Sequence, residues 1–268
     1  MVINNEKVPR LLYKYYSPNN IEYTIKENTL KWEIPCNEND PFEALADRWD
    51  EDSVRREIGE SREKEAILNA IFKSREAQLR ISHITSYVSF SERCDNMLMW
   101  SHYGDKYAGA CLEFHTFALE RFIDKVERVE YAKEVGEGRE PIPLPREGQD
   151  DTSPEYQNRV RKFLAHKAKE WEYEEEWRLM VPPMAKIIEC RKAGDKWLLV
   201  SEIPAGAITR LIFGCSMPPP TRLSLAKQIK TKHRNCQFAV IVPDRNYYKL
   251  SIEPLDIDAI ENRSQTVS

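Results

Sequence analysis

The chain has 268 residues, of which 41% are hydrophobic and 31% charged, with a formal net charge of −4. That length supports a sizeable core, no apolar run is long enough to span a bilayer, and the start MVINNEKVPR has no signal-peptide core, so the expected location is the cytoplasm. The slight acidity argues against wholesale wrapping of nucleic acid, and the six scattered cysteines, without a CxxC pair, point to reduced thiols, not to a zinc or disulfide framework.

In chain order, Leu11 to Tyr16 reads as a first strand ended by a turn at Ser17-Pro18-Asn19-Asn20, with a short helix over 21–27 and a second strand at Thr29 to Trp32. Asn39-Asp40-Pro41-Phe42-Glu43 has the form of a capped helix start, with Asp40 at the N-cap and Pro41 in the first turn. Asn39 and Asp40 can equally line a site. Residues 51–82 are charge-rich with apolar residues at helical intervals, a helical insertion within a single domain over 1–255. The most informative stretch is Tyr87 to Phe114. It begins with a strand in which Val88 and Phe90 alternate with Ser89 and Ser91, and it closes with a second strand, AGACLEF. Between them Trp100, Ser101, His102 and Tyr103 crowd together, as core aromatics with satisfied polar tips or as the lining of a pocket.

A helix over 117–125 and a strand over 126–131 follow, then a Pro- and Gly-rich surface loop at 135–153. Residues 154–169 read as one basic amphipathic helix. From Tyr173 onward a strand places Glu174, Glu176 and Arg178 on one face. Carboxylates disfavour strands, and two side by side repel unless a cation such as Arg178 or Lys14 neutralises them. Such a pair is either a site or an exposed Glu–Arg pairing. The last third reads as strands at 187–191, 197–202 and 208–214, a helix over 221–233, a strand pair at 238–242 and 248–252, and a tail from 256. The fold class expected is α+β, with a mixed, mainly antiparallel sheet and flanking helices.

Taken together, Leu12-Tyr13-Lys14-Tyr15, Asn39 to Glu43, Ser89-Phe90-Ser91, Met99 to Gly104, and Lys167 with Trp171 to Arg178 are similar to a bacterial family, domain-of-unknown-function family 2971, over Leu12 to about Gly214. That family implies no chemistry. More distantly, a basic or aromatic residue on the first strand (Lys14 or Tyr15), a Ser-x-Ser strand (Ser89, Ser91) and a Glu-x-Glu strand (Glu174, Glu176) resemble, in order, the ADP-ribosyltransferases. Lys14 stands where that class has arginine, and Phe90 where it has threonine.

The resemblance implies NAD as substrate and Glu176 as the essential carboxylate. Glu174 would help select or activate an acceptor that is a protein or nucleic acid, Lys14 would bind diphosphate charge, Ser89 or Ser91 would hold the ribose, Trp100 and Tyr103 would stack on nicotinamide or adenine, and Tyr15, Arg178, Asn39 and Asp40 would complete the cofactor-binding set. Resemblance to a small, scattered bacterial family of this kind implies a role in phage defence or as a toxin. Two alternatives stand beside the transferase reading: a metal-dependent hydrolase or nuclease with His102 as general base and Asp40, Glu174 or Glu176 binding the metal, although no spacing fixes metal ligands, and a non-enzymatic module that senses a nucleotide or a partner.

Overall fold

The computed structural model describes residues 2–3, 6–34, 40, 85–119, 126–134, 153–181, 185–186, 188–193 and 196–257. Asn39, Pro41, the 51–82 insertion, residues 120–125, the 135–152 part of the loop and the tail from 258 lie outside the described residues, as does the expected helix after Asp40.

The strands are β1 (Val2–Ile3), β2 (Glu6–Lys7), β3 (Leu11–Tyr16), β4 (Thr29–Trp32), β5 (Ser86–Ser91), β6 (Ala110–His115), β7 (Val126–Arg128), β8 (Glu130–Ala132), β9 (His166–Ala168), β10 (Glu176–Val181), β11 (Glu189–Ala193), β12 (Lys196–Glu202), β13 (Ile208–Phe213), β14 (Gln237–Pro243) and β15 (Leu250–Pro254). An eight-stranded sheet in the order β15-β14-β13-β6-β3-β5-β10-β7 forms the centre. Only β13 and β14 pair in parallel within it. A three-stranded antiparallel sheet, β11-β12-β4, adjoins it through a bridge between Glu33 and Tyr87. Among the described residues the helices are α1 (Pro18–Glu27), α2 (Met97–His102), α3 (Pro154–Leu164) and α4 (Pro219–Lys230), so the architecture is α+β with a mixed, mainly antiparallel sheet.

The period of two along the strands gives the central sheet two different faces. On one, Leu12, Val88, Phe90, Leu112, Phe114, Leu179 and Leu211 are buried in the main core with residues of α1 and α4. Burying side chains of this size contributes about 1.5–3 kcal/mol each. On the other face Tyr15, Cys111, Ile212 and Ala239 pack under α2, with Trp100 at the centre. Towards the edge of this second face the apolar layer gives way to polar side chains, and the site lies there.

Local chemistry explains where elements start and stop. Pro18 and Pro154 occupy first helical positions, where the missing N–H is no loss. The expected turn at 17–20 is therefore the first turn of α1. Asn96 caps α2 by accepting from the Leu98 and Met99 N–H groups at 2.9 and 3.3 Å. Three further expectations are corrected. The strand over 126–131 breaks at Val129 into β7 and β8, which join different sheets. The basic helix ends at Leu164, and His166–Ala168 leaves it to pair in parallel with β8. Lys169–Glu174 is a 3-10 turn, and Glu175 adopts a left-handed φ of 44° before β10 begins at Glu176.

Candidate functional site

Two carboxylates and two cations meet under this 3-10 turn. Glu174, Glu176, Lys167 and Arg178 have side chains 4%, 4%, 4% and 1% exposed. Arg178 grips Glu176 bidentately, donating from Nε to Oε1 at 2.8 Å and from Nη2 to Oε2 at 3.0 Å. Its Nη1 donates to the Leu164 carbonyl at 2.5 Å, and its guanidinium lies 4.5 Å from the centre of the Tyr87 ring. Lys167 Nζ bridges the two acids, at 2.6 Å from Glu174 Oε2 and 3.3 Å from Glu176 Oε2. The Tyr103 hydroxyl donates to Glu174 Oε1 at 2.5 Å, and the Glu176 N–H donates to the Tyr131 hydroxyl at 2.9 Å.

The quartet is charge-balanced, which is what allows ions to remain charged away from water. Burial by itself would lower the Lys167 ammonium, but Glu176 and Glu174 outweigh it and push it up. Burial raises the Tyr131 phenol, reinforced by the charge of Glu176 and Glu174.

The carboxylate convergence expected of a continuous strand is reached by another route. Glu176 and Arg178 share a face of β10, two residues apart, whereas Glu174 reaches them from the 3-10 turn because the left-handed Glu175 reverses the chain. Ser91 stands directly across from Glu176 on β5, and Ser89 across from Arg178. Tyr13 pairs with Ser91 on β3. Strand alternation puts Lys14 on the opposite face from Tyr13, and its Nζ donates to the Ser89 carbonyl at 3.1 Å. Tyr15 sits on the site's face but is buried, its hydroxyl donating to the Arg93 carbonyl at 2.8 Å.

Trp100 is 0% exposed. Its Nε1 donates to the Cys94 carbonyl at 2.7 Å, its ring meets Tyr15 edge-on at 5.3 Å, and it stacks on Tyr107 at 6.3 Å. The stacking depends on an uncommon left-handed run, Asp105, Lys106 and Tyr107, with φ of 46°, 52° and 67°. Trp100 is thus walled off from any ligand, whereas Tyr103 touches the quartet directly. His102 is exposed at the end of α2, 6.3 Å from the Tyr173 ring. Asp40 is 4% exposed, and among the described residues no group of three or more His, Cys, Asp or Glu is placed to hold a metal ion.

A groove of about 820 Å³ runs along β7 and past the 3-10 turn, with Tyr131, Tyr173, Glu175 and Trp177 in its lining. Its volume lies in the range of small-molecule sites. One lining residue, Tyr131, is also bonded to the quartet, its hydroxyl receiving the Glu176 N–H.

Sequence reasoning assigned no site role to Lys167 or Tyr131. Lys167 lies among the helix formers Ala165 to Lys169, which hide a buried strand residue. No signal marks Tyr131. A second polar cluster was also missed: Glu113 on β6 is 3% exposed, accepts from the Thr209 hydroxyl at 2.7 Å and pairs with Arg210 at 3.2 Å. Here a signal existed, a carboxylate inside the apolar run Ala110 to Phe114.

Residues 99–179 match the profile of the family described as Protein of unknown function (DUF2971). The match is narrower than the Leu12 to Gly214 likeness read from motifs, but it contains every member of the quartet together with Tyr103 and Tyr131. No curated protein and no solved structure gives a significant match. Among the described residues no helix is long and apolar enough to cross a membrane.

Proposed function

We propose that the chain is an NAD-using enzyme, an ADP-ribosyltransferase or NAD glycohydrolase, with Glu176 as its essential carboxylate. One observation carries this reading: the three segments that resemble the transferase signature lie on hydrogen-bonded neighbours, β3, β5 and β10, with Ser91 and Glu176 directly paired and the row completed on β3 by Tyr13, in place of the Lys14 or Tyr15 of the resemblance. Segments separated by up to about a hundred and sixty residues of sequence need not have met at all.

The chemistry follows from the row. The bond between C1′ of the ribose and the nicotinamide nitrogen breaks, and nicotinamide leaves with the bonding pair as a neutral molecule. Glu176 stabilises the positive charge that develops on the ribose. Water or an acceptor then adds to C1′, and its proton passes to Glu174, whose other contacts are Lys167 and the Tyr103 hydroxyl. Because Glu176 is 3% exposed, substrate entry requires the 3-10 turn over it to swing aside.

The complete pairing of the quartet favours a second reading, in which it is a structural clamp and the chain a binding module. Turnover separates the two. Purified protein incubated with NAD is expected to release nicotinamide, and Glu176→Gln, with an unchanged circular dichroism spectrum, to abolish release. Absence of release by the unaltered protein, alone and with a cell lysate as source of acceptor, would overturn the enzyme reading.

A further inference from the structure

With Trp100 enclosed, rings of the 3-10 turn and of the end of α2 reach the surface beside the quartet. Trp171 and Tyr173 are half-buried and His102 is exposed. Their centroids step by 6.1 Å from Trp171 to Tyr173 and by 6.3 Å from Tyr173 to His102, with interplanar angles of 38° and 39°. Rings tilted in this way fan along the turn and do not cover one another face to face.

The same turn is acidic. Glu172 is 55% exposed and Glu175 33%, with Glu170 exposed between Lys169 and Trp171. Lys169 and Arg93 pair with Glu172 and Glu175 at 2.5 and 3.5 Å, so part of that field is answered within the chain. Lys167 lies 4.9 Å from the Trp171 ring centre and already engages one face of the indole.

We propose that this fan is a binding platform for a planar nitrogen cation, an N-alkylpyridinium of the kind carried by oxidised nicotinamide. The identity of the natural ligand rests on the NAD reading above, whereas the platform can be tested without turnover. An electron-rich phenol face attracts a delocalised cation, and the flanking carboxylates raise its local concentration. Since Lys167 occupies one side of Trp171, the cation rests on Tyr173, with the indole as a flanking wall. A ligand there stands beside the turn that carries Glu174.

The probe is 1-methylnicotinamide, a permanent cation, followed by calorimetry and by quenching of tryptophan fluorescence. It should bind saturably, and neutral nicotinamide and adenosine about tenfold more weakly. Tyr173→Leu should lose about tenfold in affinity, Trp171→Leu less, and Tyr173→Phe, which keeps the ring, should bind like the unaltered protein. No binding, equal binding of nicotinamide, or equal binding by Tyr173→Leu would overturn the platform. Tyr173-dependent binding without NAD turnover would sink the enzyme reading and leave the platform standing. Glu176-dependent turnover with an unaltered KM in Tyr173→Leu would do the reverse.

Discussion

The polar face of the central sheet carries two buried carboxylate clusters, four strands apart, built on opposite principles. Arg210, Glu113, Tyr13, Ser91 and Glu176 follow one another as cross-strand partners, so both clusters lie on one line across the sheet. At the β10 end two acids are matched by two cations, every one of them at most 4% exposed. At the β13 end the single acid Glu113 meets Arg210, whose side chain is 31% exposed. The Glu113 Oε2 and Arg210 Nε atoms are buried and make no hydrogen bond, although Oε2 stays 3.2 Å from Arg210 Nη2. The first cluster is closed and each charge depends on the others. The second is open to water on its cationic side, and water can replace what is lost.

The largest expected effect follows from that dependence. Lys167→Met leaves Glu174 and Glu176 with Arg178 as the remaining cation among the described residues in a nearly dry site, and should cost about 3–5 kcal/mol in urea unfolding, as broken buried pairs do. Adding Glu174→Gln should recover part of that loss, because an amide needs no counter-ion. If the single substitution costs no more than a surface change, the quartet is not the closed unit described here.

Arg210→Met should cost less, about 1–2 kcal/mol, since solvent already shares the guanidinium and Thr209 still donates to Glu113. Comparing the two single substitutions by urea unfolding at one pH tests the contrast directly. Equal costs would abolish it. Near Glu113, the buried thiol of Cys94 is pushed up to about 12, first by desolvation and then by the charges of Asp95 and Glu113. A thiol held protonated in this way should alkylate slowly at pH 8, whichever cluster is altered.

The contrast between the clusters also marks what could be read beforehand. Strands such as β3, β5 and β10 were legible because apolar residues alternate with something else, Val88 and Phe90 against Ser89 and Ser91, and alternation is a local property. Alternation also put Glu176 and Arg178 on one face of β10, whereas Glu174 joins them from the 3-10 turn and not from the continuous strand expected. The remaining partners were not legible, because long-range pairing decides them. Lys167 lies in a helix-forming sequence, and only pairing with β8 draws it into a strand. The left-handed Glu175 has neither the glycine nor the asparagine that would announce it. Trp100 lies in the right neighbourhood but faces inward, because Asn96 and the left-handed run at Asp105 to Tyr107 set the orientation of α2. Patterns of polarity singled out segments that meet at the candidate site, and the pairings that enclose it came from elsewhere in the chain.

A third buried polar contact, with no formal charge, sharpens the comparison from below, and its effect should be the smallest. His233, 4% exposed, meets Asn28 Oδ1 at 2.9 Å through Nε2, while Asn28 Nδ2 donates to the Ile203 carbonyl at 3.1 Å. With the amide nitrogen so used, Oδ1 accepts and His233 Nε2 is the protonated ring nitrogen of a neutral imidazole. Desolvation, with Lys232 nearby, lowers the pKa of His233 below its ordinary value. In the folded chain it therefore takes up a proton at lower pH than in the unfolded chain. As pH falls below the ordinary value of about 6.5, the unfolded state binds the proton first, so this contact loses stability until the folded imidazole also titrates. His233→Gln keeps a donor for Asn28 without the titration, and should flatten the fall in melting temperature between pH 7 and pH 5. Neither Lys167→Met nor Arg210→Met should remove that slope, because neither cluster touches His233. An unchanged slope in His233→Gln would show that the buried His233–Asn28 contact does not set the acid sensitivity of the fold.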